Sequence, residues 1–234
     1  GLERRFSPDL ILVGCNTLSV ITAETPFAKR TKIPVLDIVD PGIELMAKGL
    51  SADPRATAVI LGTETTIGEG EHARRLAALG YGPERVVPQA CPELANFIES
   101  GPGSDEVALL IESFLDEALA RVPDKTTPLL VSLNCTHYGY ALPLWEKALR
   151  DRGIASFAIL NPNGRMLDPL FPPKAVKRFA STSVQASVVS MVGIEKKKIE
   201  ALGAWLRGVS PEVATALERY ELVPDLFEWK DLLR

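Results

Sequence analysis

The stretch Leu129-Leu130-Val131-Ser132-Leu133-Asn134-Cys135-Thr136-His137 is an apolar run that stops abruptly at a polar loop. So little polar alternation suits a strand covered on both faces, as strands in parallel sheets are. The same design stands earlier, in Leu10-Ile11-Leu12-Val13-Gly14-Cys15-Asn16-Thr17, again with a cysteine just past the apolar run. Outward from these two, β-prone runs at 35–39, 57–61 and 156–160 alternate with segments of helical spacing at 71–79, 106–122 and 144–150. The alternation predicts an α/β fold: two similar doubly wound parallel-sheet domains with the active site between them, plus a C-terminal helical tail. Ligands in such folds sit beyond the carboxyl ends of the strands, which directs attention to the two cysteine loops.

Turn-rich breaks fall at 51–54, 99–103 and 161–164. They predict one domain over 58–156 and a second built from 1–57 with 157–234, the chain crossing twice. From Gly193 onward the spacing is helical, with Lys196-Lys197-Lys198 expected on a solvated face. The tail 211–234, carrying Trp229, is expected to pack on the outside.

Composition narrows the partners. The 234 residues are 46% hydrophobic and 24% charged with a formal net charge of −4, enough apolar material for a core and no basic footprint for nucleic acid. No apolar run approaches the roughly 18 residues a membrane span needs. The start Gly1-Leu2-Glu3-Arg4-Arg5 is not followed by the apolar core of a signal peptide, so the expected location is the cytoplasm. Cys15, Cys91 and Cys135 form no CxxC or Cys/His cluster of zinc-site spacing, so they read as thiols and no metal is expected.

A thiol at a strand end and a helix start feels backbone N–H groups and the positive end of the helix dipole, which favours thiolate from a starting pKa of about 8.5. Free cysteine is also among the most buried residue types and often acts as a small hydrophobe. The context shared by Cys15 and Cys135 argues against that for these two. Ala90-Cys91-Pro92 has no strand-end polar loop, and Cys91 reads as structural.

Val13-Gly14-Cys15-Asn16-Thr17-Leu18-Ser19 resembles the first cysteine motif of glutamate racemases, and Cys135-Thr136-His137-Tyr138 resembles the second. Ile33-Pro34-Val35 running to Pro41-Gly42, Gly62-Thr63 with Thr66, and Cys91-Pro92 with Glu99 are similar to further motifs of that family in the same order. The resemblance covers about residues 8 to 190. It implies a cofactor-independent isomerase that interconverts L- and D-glutamate for peptidoglycan precursor supply, hence cell wall biogenesis and cell shape. It also leaves room for a homodimer.

Inversion at an α-carbon without a cofactor needs a base on one face and an acid on the other, because one group returning its own proton restores the starting hand. The resemblance implies that Cys15 takes the proton of the D enantiomer and Cys135 that of the L enantiomer. It places His137 as holder or relay of the Cys135 proton and Glu99 on the same side. Without it, the reading of His137 as a plain hydrogen-bonded histidine is the favoured one. Asn16, Thr17, Thr63, Thr66 and Thr136 offer neutral donors and acceptors suited to an amino acid, although threonines in strand-end turns also serve local backbone groups.

The chain departs from the family in places. The Asp-Ser-Gly and Pro-Tyr-Gly loops that normally line the substrate have no match, so Cys15 is expected to lack its aspartate partner, in a fragment or a divergent homologue. Asn134 stands for a glycine, Gly139 for a proline, His72 for a tyrosine, and Asn161-Pro162-Asn163-Gly164 for another Asp-Ser-Gly. Two alternatives therefore stay open: a racemase of aspartate or another acidic amino acid, and a catalytically silent amino-acid-binding homologue. A cysteine hydrolase is disfavoured, because Cys135 and His137 share one loop.

Overall fold

The computed structural model describes residues 2–172 and 179–227. Helix α1 (Leu2–Phe6) precedes β1 (Ile11–Val13), α2 (Asn16–Thr22) and α3 (Pro26–Arg30), and β2 (Val35–Asp37) leads into α4 (Val39–Ala52). Then come β3 (Thr57–Gly62), α5 (Glu64–Gly68), α6 (Glu71–Ala78), β4 (Val86–Ala90), α7 (Leu94–Ser100) and α8 (Asp105–Leu119). β5 (Leu129–Asn134) enters a 3-10 turn (Thr136–Ala141), followed by α9 (Leu142–Asp151), β6 (Phe157–Leu160) and a second 3-10 turn (Pro162–Leu167). The remainder is β7 (Val189–Ser190), α10 (Lys196–Arg207), α11 (Pro211–Glu218) and β8 (Glu221–Leu222).

Every strand pairing among the described residues is parallel, as suits the unalternating apolar runs: β1 with β2, a central sheet in the order β4-β3-β5-β6, and β7 with β8. All six residues of β3 and of β5 are buried. Val59 and Leu61 pack toward Leu94, Ile98, Ile111, Leu115 and Trp145 of α7, α8 and α9. Ala58 and Ile60 pack on the other side, against Met46 and Leu50 of α4 and Leu76 of α6. Helix α4 lies so close to β5 that a Cβ on Gly49 would stand 2.5 Å from Leu130 Cδ1.

Three expectations change, and one strand, β4, is added. The run 156–160, placed with the first domain, supplies β6, which extends the central sheet with Leu129 opposite Phe157, so the boundary expected at 156/157 cuts across a hydrogen-bonded sheet. The run 35–39 ends as a strand at Asp37, whose Oδ1 accepts from Val39 N at 2.9 Å and turns the chain into α4. β4 was hidden by Pro88; it sits at the sheet edge, where a missing N–H is tolerated. Lys198 leaves the expected solvated face for a carboxylate on α7. Trp229 lies outside the described residues. Among the described residues no helix is long and apolar enough to cross a membrane.

Candidate active site

Cys15 occupies the turn between β1 and α2, and Ser19 N donates back to its carbonyl at 2.8 Å. Asn16 follows, 2% exposed, and neither its Oδ1 nor its Nδ2 has a partner among the described residues. A buried amide without partners costs about 1–3 kcal/mol, a cost a bound polar molecule would relieve. Thr17 Oγ1 lies 2.8 Å from Thr63 Oγ1 and 3.4 Å from Thr66 Oγ1, and Thr63 and Thr66 are 3.0 Å apart. The start of α2 is thereby joined to the start of α5 beyond the end of β3. Thr63 also caps α5, accepting from Thr66 N at 3.2 Å, the local backbone role that threonines in such turns serve.

Gly62 at the end of β3 pairs with Asn134 at the end of β5, so the Thr63 and Cys135 turns leave neighbouring strands at the same level. Cys135 Sγ lies 3.7 Å from His137 Nδ1, and His137 Nε2 lies 2.9 Å from Glu99 Oε1 on α7. The other Glu99 oxygen, Oε2, accepts from Lys198 Nζ of α10 at 2.7 Å. Tyr138 anchors the turn, its hydroxyl donating to the Cys91 carbonyl at 3.3 Å while its own carbonyl accepts from Trp145 Nε1 at 3.1 Å. Thr136 is half-buried beside Cys135, and its carbonyl accepts from Asn163 Nδ2 of the second 3-10 turn at 3.0 Å.

Electrostatics corrects one expectation. Burial pushes the Cys135 thiol up to about 11, against the pull of the His137 and Tyr138 backbone N–H groups, with charge on Cys15 and Glu99 adding to the rise. The helical dipole invoked for a thiolate is weak here, because a single six-residue 3-10 turn follows the cysteine. Burial and then Lys198 lower the His137 pKa, while Glu99 opposes them. Cys91 is buried in the core and burial drives its thiol far up, in keeping with a structural role.

Cys15, Asn16, Thr17, Thr63 and Thr66 thus surround one strand-end region, and Cys135, Thr136, His137 and Glu99 the adjoining one. Asn163, from the loop that stands for a further Asp-Ser-Gly, and Lys198 belong to the same surroundings; Lys198 escaped the sequence reading, because a lysine in a run of three gives no local sign of a partner on another helix. His72 is 2% exposed with both ring nitrogens unpartnered among the described residues, and burial, with Arg75, lowers its pKa to about 4. A Cβ on Gly42 would lie 3.1 Å from Asn134 Oδ1 and 3.7 Å from His72 Nε2, so both unusual residues border Gly42 of α4. The hollow of about 390 Å³ lined by Glu93, Phe97, Ser104 and Lys197 includes none of the expected site residues. Among the described residues no group of three or more His, Cys, Asp or Glu is placed to hold a metal ion.

No model of a protein family matches the chain. It is similar to a glutamate racemase of a Nitratiruptor species, 25% identical over 205 residues, covering 87% of this chain and 74% of the relative. A glutamate racemase of Helicobacter acinonychis is 29% identical over 154 residues, covering 66% of this chain and 55% of that protein. In fold it is similar to a Francisella tularensis glutamate racemase solved in complex with D-glutamate, with a TM-score of 0.68 at 18% identity, covering 93% of this chain and 74% of that one. The α/β fold and the resemblance to glutamate racemases are both borne out.

Proposed function

From its kinship with the glutamate racemases, we propose that this chain interconverts L- and D-glutamate by a two-cysteine, two-base transfer of the α-proton. In the D-to-L direction the Cys15 thiolate takes the α-proton, and the Cys135 thiol gives its proton to the opposite face of the carbanion. The enzyme is left with a Cys15 thiol and a Cys135 thiolate. The reverse direction starts from that form, and His137 Nδ1 accepts the Cys135 proton whenever the thiolate must be made without turnover. Asn16, Thr17, Thr63, Thr66 and Thr136 are the proposed contacts to the amino and carboxylate groups. Neutral partners orient these groups without biasing the thiols, and a dry site lets fixed dipoles meet the developing negative charge. The D-glutamate would supply peptidoglycan precursors in the cytoplasm.

The observation that carries the reading is the line Cys135–His137–Glu99, in which an imidazole nitrogen stands 3.7 Å from a buried thiol. A buried cysteine with only a packing role has no need of such a partner. The test is deuterium wash-in from heavy water with L-glutamate, D-glutamate and the aspartate enantiomers, followed by chiral chromatography. Deuterium at the α-carbon of both glutamate enantiomers is expected. Exchange into aspartate alone would move the substrate to that amino acid. Glutamate binding by folded protein without exchange would leave a silent binding homologue.

A further inference from the structure

We propose that Lys198 is a positioning residue for the Cys135 proton-transfer site: by clamping Glu99 it fixes which nitrogen of His137 carries hydrogen and leaves the other free to accept. The inference deepens the racemase reading and rests on it. Lys198 Nζ is 2.7 Å from Glu99 Oε2, and Glu99 Oε1 is 2.9 Å from His137 Nε2. The side chains of Lys198 and Glu99 are 22% and 23% exposed, so the link is largely shielded from solvent. An ionised carboxylate only accepts, so Nε2 must carry the hydrogen and Nδ1 turns its lone pair toward Cys135 Sγ, 3.7 Å away.

The clamp settles a conflict within the site. Glu99 alone would favour the imidazolium, in which Nδ1 also carries hydrogen and cannot take the Cys135 proton. Lys198 offsets that charge, acting with burial to keep His137 neutral. The groups facing His137 are Cys135 and Tyr140 from its own turn, Glu99 from α7 and Lys198 from α10; Cys15 enters through its effect on Cys135. Helix α10 is held at a second point, since Trp205 lies 4.4 Å from the Tyr140 ring between centroids, and Tyr140 meets the His137 ring edge-on at 6.0 Å. Lys198 and Trp205 are two turns apart and share a helix face, so one face of α10 braces both the carboxylate and the cysteine turn.

The chain has two histidines, His72 and His137, so side-chain NMR of histidine-labelled protein can follow each through a pH titration. In Lys198→Met the His137 midpoint is expected to move to higher pH, with kcat falling roughly tenfold and KM little changed. Lys198→Arg keeps the charge and should bring both back toward wild type. His72 reports an intact fold if its signal stays in place. A His137 midpoint that does not move in folded Lys198→Met overturns the role of Lys198, as does an equal shift in Lys198→Arg. The NMR arm needs no turnover: a shifted midpoint in a chain with no racemase activity sustains the clamp and removes the racemase reading, whereas an unmoved midpoint in an active enzyme removes the clamp alone.

Discussion

Because burial raises the Cys135 thiol to about 11, this residue holds its proton at neutral pH and waits as an acid rather than a base. Iodoacetamide should therefore modify it slowly near neutrality and faster as the pH approaches that value, read by mass spectrometry of the Cys135 peptide. Rapid labelling at neutral pH would count against a thiol at rest. Two substitutions probe the proposed chemistry. Cys15→Ser should abolish net racemisation, measured by circular dichroism of L-glutamate. His137→Asn should lower turnover about a hundredfold, within the range of lost acid–base assistance. At this scale the sequence was informative where chemistry is local: Cys15, Cys135 and the threonines each follow an apolar strand within a few positions. It was silent about Lys198, whose partner Glu99 sits on another helix. It also overstated the thiolate at Cys135, because burial is a property of the packed molecule.

Helices and strands carry their own predictions. Ser104 caps the fifteen-residue α8, accepting from Val107 N at 3.3 Å, and Ser104→Ala should cost about 1 kcal/mol in urea denaturation. Gly49→Ala should cost about 1–3 kcal/mol by the same measurement, since its new methyl would press on Leu130 where α4 meets β5. An unchanged midpoint would mean that Leu130 has room to turn away. Strands buried on both faces were legible from their apolar runs, and α6, α8 and α9 from their spacing. β4 was not, because proline and glutamine interrupt it and only its position at the sheet edge makes them acceptable. Asp37 likewise shortened a strand by capturing the N–H groups of the helix that follows.

For the whole molecule, His72 sets a dependence of stability on pH. Its folded pKa, lowered to about 4 by burial, lies below the value of the unfolded chain. The unfolded state thus binds more protons between about 6.5 and about 4, and stability declines as pH falls through that interval. The His72 share is about 3 kcal/mol, seen as the difference between wild type and His72→Leu in denaturant melts across that range. A pH dependence identical in the two proteins would show that His72 is not neutral in the fold. The alternation of strands and helices indicated the architecture, but assigning 157–160 to one sheet or the other needed the pairing itself, which no local pattern encodes. The three hydroxyls of Thr17, Thr63 and Thr66 join the helix after the first small sheet to the central one, and in every pair either oxygen can give or receive the hydrogen. Their ring of hydrogens can circulate in either sense without moving a heavy atom, so a reversal at one oxygen is passed to the other two.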